Sequence, residues 1–284
     1  MNAFTFSSRN SNILALSAAI AGIFMFPVKE ASAGAWMQEP GHGQVIVDGI
    51  YYGTSDYYNR NGDEVSAPKL RKYEVLPYVE YGVNEQLTVG GSMSFQSINE
   101  DIPGRKWVAS PGDMELFVRT PVWQRGTTIV SVQPLIKIPG PYDEDKNPRV
   151  GDGQYDFELR GLMGHSFKIP SWNENWHYAD VEAAYRMRNG NASDEVRLDA
   201  TVGLRPWEDT QLINEVHSVM AVDSRSTAPA LLVNSEDYDL VKYQFSVVQD
   251  LTEQWALQIG GFKHLAGENT GAGAGGLIGF WYNF

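Results

Sequence analysis

Charged residues recur at alternate positions in several stretches of this chain, and that spacing is the feature closest to chemistry. In residues 195–206, Arg197, Asp199 and Arg205 share one parity with Thr201 and Gly203, while Val196, Leu198, Ala200, Val202 and Leu204 take the other. Residues 177–188 oppose Asp180, Glu182, Arg186 and Arg188 to Val181, Ala183, Tyr185 and Met187. Asp156, Glu158 and Arg160 form a third set, Asp113, Glu115 and Arg119 a fourth, and Glu74 and Glu80 a fifth. In an extended strand alternate side chains share a face. Taken together, the charged faces carry both signs of charge. They offer ion pairing between neighbouring strands, or a constriction that discriminates among charged solutes. The candidate residues for such a lining are Glu115, Arg119, Asp156, Glu158, Arg160, Glu182, Arg186, Arg197, Asp199 and Arg205. The alternation does not choose between a selectivity constriction and a salt-bridge filling that plugs the interior.

Other chemistries find less support. His165-Ser166 and His217-Ser218 are neighbours in sequence, so in a strand they point to opposite faces and neither pair is a catalytic dyad. A lipid hydrolase would need Ser and His from different strands, and no motif specifies them. It remains a remote alternative, and no enzyme is expected. The five histidines are dispersed, without metal-ligand spacing. Gly271 to Gly276 matches G-x-G-x-x-G formally, but a terminal strand follows it rather than the helix a dinucleotide site requires. Residues 143–147 open like a calcium loop, yet Pro148 stands where the turn needs glycine and Gln154 where a bidentate Glu belongs. There is no cysteine, which excludes disulfides and thiolate chemistry. No cofactor and no metal are expected. With 22 Lys+Arg against 35 Asp+Glu the chain carries −13, without the basic footprint of a nucleic-acid binder.

The elements that must position these faces are strands. Alternation marks twelve, near 44–53, 70–82, 87–97, 112–124, 127–138, 154–167, 177–188, 195–206, 210–221, 239–250, 254–265 and 273–284. Most hold the ~9–11 residues that a tilted membrane strand needs, and an even count is usual in bacterial outer-membrane barrels. The mean hydropathy of −0.31 is no obstacle, since only every second residue must be apolar. Gaps alternate in length. Those at 84–86, 125–126, 207–209 and 251–253 are short, and 168–176 is longer. Those at 54–69, 98–111, 139–153, 189–194, 222–238 and 266–272 are mostly long and polar. Long extracellular loops and short periplasmic turns produce this rhythm and put both termini on the periplasmic side. Trp123, Trp172, Trp176, Trp207, Trp255 and Trp281 fall beside the short turns or the C-terminus, as an aromatic girdle at one rim requires. Pro121 cannot donate to a ladder and predicts a bulge.

The ends give the address. Gly279, Tyr282 and Phe284, with Phe280 between them, resemble the C-terminal signal by which outer-membrane barrels are recognised by the barrel-assembly machinery. At the other end, Arg9, the apolar run Ile13 to Phe26 and Ala31-Ser32-Ala33 read as a secretory signal peptide over residues 1–33, cleaved before Gly34. Its removal moves the formal charge to −14. Residues 34–43 are expected to be a short periplasmic lead-in, and 34–284 a single barrel domain. A buried last strand in a periplasmic sandwich is the competing reading of the C-terminus.

A family resemblance rests on short segments. Lys72-Tyr73-Glu74 through Tyr78-Val79-Glu80-Tyr81-Gly82, then Gln86-Leu87-Thr88-Val89-Gly90, is similar to the outer-membrane proteins of the meta-pathway phenol-degradation type. Pro111-Gly112-Asp113-Met114-Glu115-Leu116, Ile136-Lys137-Ile138-Pro139-Gly140 and Gly151-Asp152-Gly153-Gln154-Tyr155-Asp156 resemble other strand entries and exits of that group. The resemblance covers roughly residues 40–284. It implies a transporter-like barrel and, through the gene context that names the group, uptake of aromatic compounds; it carries over no catalytic residue. The expectation is therefore a closed antiparallel transmembrane β-barrel of about twelve strands in a Gram-negative outer membrane, in contact with its lipids and monomeric by default. Its leading function is passive uptake of a small, unidentified solute. The alternative is a closed structural or surface-interaction barrel whose loops 54–69, 139–153 and 222–238 form the binding surface.

Overall fold

The computed structural model describes residues 34–284 apart from 144, 147, 191 and 223–236. The expected signal peptide, residues 1–33, and most of the loop at 222–238 lie outside the described residues. The strands are β1 (Gly43–Tyr58), β2 (Glu64–Asn84), β3 (Leu87–Glu100), β4 (Val108–Arg125), β5 (Thr128–Ile138), β6 (Asp156–Lys168) and β7 (Trp176–Arg188). They continue as β8 (Glu195–Trp207), β9 (Thr210–Ala221), β10 (Asp239–Asp250), β11 (Trp255–Glu268), β12 (Thr270–Gly271) and β13 (Ala274–Asn283).

From β1 to β11 every neighbour in sequence pairs antiparallel, β11 pairs with β13, and β1 pairs with both β2 and β13, so the sheet closes on itself. β12 and β13 lie end to end along β1 and act as one interrupted strand, which makes the barrel twelve-stranded. Closure leaves no unpaired edge, as a hydrocarbon surround demands.

The alternation sorts inside out. On β6, Phe157, Leu159 and Met163 are exposed, whereas Asp156, Glu158 and Leu162 are buried. Val181, Tyr185 and Met187 on β7, and Leu198 and Val202 on β8, are likewise exposed. Large apolar side chains cover the outer surface and charges fill the interior, the reverse of a soluble sandwich. Ile278, Phe280 and Phe284 lie on the outer face of the terminal strand and its end. Gly279, on the inner parity, leaves room for the Asp48 carboxylate of β1. Tyr282 is half-buried and packs on Trp255 and Phe284. The register of β4 on β5 shifts between Pro121 and Trp123, where the proline predicts a bulge.

Three expectations need correction. The first hairpins carry on as paired strand well past the expected boundaries, so the gap at 54–69 shrinks to residues 59–63 and the gap at 98–111 to residues 101–107. The side-chain oxygen of Asn59 accepts from the amides of Asn61 and Asp63, and Gly62 takes φ +78°, which makes a tight turn self-sufficient there. The gap at 266–272 is largely strand as well, turning at Asn269 with φ 52°. Second, Trp281 is not part of the girdle. It faces inward, 5% exposed, and its indole N–H donates to Gln258 at 3.0 Å, whereas Trp123, Trp172, Trp207 and Trp255 are exposed. Third, residues 34–42 do not all lie below the barrel: 34–38 run inside it, and 39–42 are exposed at its periplasmic rim.

Candidate channel lumen

Strand register builds a wall of charge on β4 to β9. Glu115, Lys137, Asp156 and Arg188 stand opposite one another on β4 to β7, and Glu158, Arg186 and Glu195 on β6 to β8. Toward the periplasmic side, Glu182, Asp199 and His217 line up on β7 to β9. The side chains interlock across these rows. Arg186 Nη2 is 2.8 Å from both Glu115 and Glu158. Arg160 pairs with Glu158 at 2.8 Å, Asp199 at 2.7 Å, and Glu182. Arg197 lies 2.6 Å from Glu195 and 3.9 Å from Glu158, and Arg188 is 3.0 Å from Glu195. His217 Nδ1 completes the row, 2.8 Å from Asp199. The Glu158 carboxylate is buried among three guanidiniums. Such a cluster contributes little net stability against an apolar filling, but removing one partner leaves a charge uncompensated.

Eight of the ten residues expected to line the lumen fall in this network: Glu115, Asp156, Glu158, Arg160, Glu182, Arg186, Arg197 and Asp199. Arg205 lies apart, at the periplasmic end, 3.4 Å from Asp250 and 3.2 Å from Gln211. Arg119 is also apart and holds the N-terminal segment. Sequence reasoning missed Lys137, Asp152, Glu195 and His217. Lys137 and Glu195 lie on the inward parity of β5 and β8, so alternation alone could have found them. Asp152 sits in a loop, where no periodicity points to it.

That loop, residues 139–155, folds back onto the wall at the extracellular end. Asp152 accepts from Lys137 at 2.5 Å and from Arg188 at 2.7 Å. Burial raises the Asp152 carboxyl pKa, but Lys137 and Arg188 outweigh that and hold it below the usual carboxylate range. Tyr142 Oη donates to Asp113 at 2.6 Å and accepts from the Gly153 amide at 2.8 Å. Burial, then donation to Asp113, raises the Tyr142 pKa and keeps the hydroxyl protonated. Gly151 lies against the Tyr142 ring with no room for a Cβ.

The opposite wall is different. Ile50 and Tyr52 of β1, Leu70 of β2, Ile98 of β3, Leu240 of β10 and Phe262 of β11 line a cavity of about 510 Å³, which reaches across to Asp113, Asp152 and Arg188. Tyr52 stacks on His264 at 4.8 Å between ring centroids. Lys72, Glu74 and Lys242 supply the charges on this side. The cavity is thus faced by aromatic and aliphatic groups on one side and by charge on the other.

The periplasmic half is filled by backbone. The N-terminal segment leaves the rim where Pro40 bridges Gly82; the Gly41 amide donates to the Gly82 carbonyl and the Gly82 amide to His42. Gly82 is crowded by the Glu39 carbonyl and admits no side chain. Deeper in, the Gln38 amide donates to Thr88 Oγ1 at 2.9 Å, and its side chain donates to Glu80 at 2.6 Å. Arg119, 3.2 Å from Glu80, donates to the Trp36 carbonyl at 2.8 Å. Trp36 stands edge-on to Tyr178 and fills the space left by Gly164. Ala35 is buried against Ile129 and Leu162, accepts from Ser131 Oγ at 2.6 Å and donates to Asp180 at 3.1 Å. A ring of about eight strands is filled by its own side chains, whereas twelve leave space. Here a peptide takes it.

No protein-family model matches the chain, and no curated protein sequence matches it. Solved structures do. The chain is similar to an outer membrane channel from Pseudomonas putida F1, with a TM-score of 0.69 and 14% identity over 90% of this chain and 100% of that one. It is also similar to the β domain of the Bordetella autotransporter Brka, with a TM-score of 0.52 and 12% identity over 86% of this chain and 100% of that one. At such identities the likeness is one of architecture, and with the closed sheet and its apolar exterior it makes this chain a transmembrane β-barrel of the outer-membrane type.

Proposed function

We propose that the protein is a gated outer-membrane channel for small solutes, closed at its periplasmic end by residues 34–42. The observation that carries this reading is the nature of the filling. The periplasmic half is occupied by backbone outside any strand, residues 34–42, which becomes terminal on the expected cleavage before Gly34 and could withdraw without unpairing a strand, while the extracellular half keeps a cavity of about 510 Å³. A barrel serving only as a scaffold has no need of a separable stopper. The neighbour from Pseudomonas putida is itself described as a channel, which supports the reading without identifying a solute. The cavity walls suit a small amphipathic molecule with an apolar ring or chain and a polar end. That agrees with the aromatic compounds implied by the family resemblance. Arg160, Arg186, Arg197 and the carboxylates around them would set charge preference along the path, and the terminal strand ending at Phe284 would be the handle for barrel assembly.

The test is liposome swelling by the refolded chains 34–284 and 43–284 in sugars, amino acids and small aromatic acids. The channel reading expects the shorter chain to swell liposomes at least tenfold faster, with rates ranked by solute size. No swelling by either chain, with heat-modifiable migration proving that both are folded, would leave the closed structural barrel as the function.

A further inference from the structure

Resting on the channel reading, a further inference concerns a carboxyl in the stoppered half that has no cationic partner. Asp180 is 3% exposed on the inner face of β7. Among the described residues it has no ion-pair partner within 4.0 Å. It accepts a hydrogen bond from the uncharged amide of Ala35, at 3.1 Å, and its other contact is a side-chain hydrogen bond with Glu182, two residues along the same face and itself acidic. The cations nearby are engaged elsewhere: Arg119 by Glu80, Gln133 and the Trp36 carbonyl, and Arg160 by Glu158, Glu182 and Asp199. A buried carboxylate without a counter-charge is costly.

The segment meets this carboxylate at Gly34. Asp180 Cγ and Oδ2 lie 2.8 Å from where a Gly34 Cβ would stand, and Gly34 adopts φ +119°. Any side chain at 34 would collide with Asp180 as well as strain the backbone. The Gly34 nitrogen is one bond from that α-carbon. It is also the atom that Ala31-Ser32-Ala33 marks as the amine released by leader removal. Gly34 is buried inside the barrel.

We propose that the α-ammonium of Gly34, created when the leader is removed, is the counter-charge of Asp180, and that this ion pair seats the stopper. The step that creates it is a hydrolysis by the host's leader peptidase. Water adds across the Ala33–Gly34 amide, the C–N bond breaks, Ala33 leaves as a carboxylate and the Gly34 amine takes up a proton. Processing is thereby coupled to closure: the free terminus supplies a charge that the barrel alone leaves uncompensated, and an unprocessed chain has only a neutral amide at that point.

Hydrogen exchange of residues 34–42 in the folded, detergent-extracted protein reads seating directly and independently of solute flux. Intact mass and N-terminal sequencing must first find Gly34 at the start; any other mature terminus overturns the proposal. Three variants are then compared with the processed chain: Asp180→Asn, a chain with Ser-Gly-Ser-Gly added before Gly34, and the two together. Asn keeps an oxygen for the Ala35 amide and removes only charge. The proposal expects exchange at least tenfold faster in each single change and little further loss in the double. The extension leaves the barrel untouched, so its result holds even if Asp180→Asn fails to fold. If Asp180 had no ammonium beside it, neutralising a lone buried carboxylate would tighten the segment and slow exchange, and that result, or exchange unchanged by the extension, overturns the proposal. Failure of 43–284 to conduct would instead remove the channel reading and leave this measurement standing.

Discussion

The two halves of the lumen are filled by different means. In the extracellular half, filling comes from side chains rooted in the wall: Arg160, Arg186, Arg188 and Arg197 bridge carboxylates on β4 to β8, and loop 139–155 is tied in through Asp152 and Tyr142. In the periplasmic half, filling comes from a terminal segment held by a few hydrogen bonds to Thr88, Glu80, Arg119, Ser131 and Asp180. A wall-rooted network moves only if strands move. A tethered segment moves when its own bonds open. On the proposed channel reading, the difference assigns rigidity and any choice among solutes to the upper half, and gating to the lower.

Substitutions can break this comparison, and the largest effect belongs to the network. Glu158→Ala would remove the charge-assisted hydrogen bonds from Arg160 and Arg186, at about 1.5–3 kcal/mol each, although both keep other carboxylates, and so cost about 3–5 kcal/mol of barrel stability, read by thermal or urea unfolding in detergent. Exchange of residues 34–42 should change much less, because Glu158 reaches the segment only through Arg160, Glu182 and Asp180; parallel loss of both would erase the distinction. Asp152→Asn comes next, at about 1.5–3 kcal/mol of loop docking, the scale of hydrogen bonds to charged groups. The pH dependence sharpens it. Because the Asp152 pKa is held down when docked, its contribution is fully present above the unfolded value of ~3.9 and fades as pH falls through the lower docked value. Proteolysis within 139–155 should therefore stay slow at pH 5 and accelerate only below about pH 4, whereas the Asn variant should be cut readily at neutral pH.

Gly164→Leu acts on the other half. It removes the space occupied by Trp36 and overpacks the segment by about 1–3 kcal/mol. Solute flux should rise while the unfolding midpoint barely changes; unchanged flux would mean that Trp36 does not seal. The smallest effects concern two tryptophans, one inside and one at the rim. Trp281→Phe forfeits its hydrogen bond to Gln258, about 0.5–1.5 kcal/mol, whereas Trp207→Phe at the exposed rim should cost less. Equal costs would contradict the inward placement of Trp281.

The barrel was legible because its rule is short-range. Parity along a strand separates Val196, Leu198 and Val202 from Arg197, Asp199 and Arg205, and closure follows from the strand count. Pro121 announced its own bulge. What was not legible depends on register and on chain ends. Parity shows that Arg160 faces inward but not that it meets Asp199 two strands away. Trp281 stands next to lipid-facing Phe280 and Tyr282, so its neighbours suggested the rim while its parity turned it inside. The strand ends at 54–58, 64–69, 98–100 and 108–111 were read as loop because polar residues are tolerated on strands that extend beyond the membrane. The stopper carries no periodicity at all. Its only trace is indirect, in Gly82 and Gly164, positions where the wall gives up a side chain to admit another part of the chain.

The account turns on whether residues 34–42 must leave for the channel to open, and the absence of cysteine permits a clean test. Ala35→Cys with Ser131→Cys places thiols on two residues already in contact, since the Ser131 hydroxyl donates to the Ala35 backbone carbonyl at 2.6 Å. Single-channel conductance in planar bilayers would be recorded with this pair oxidised and then reduced. The account predicts a silent channel while the disulfide holds and repeated openings after reduction, of the size seen with 43–284. Openings of equal size and frequency in both states would show that solutes pass without the segment moving, and would contradict it.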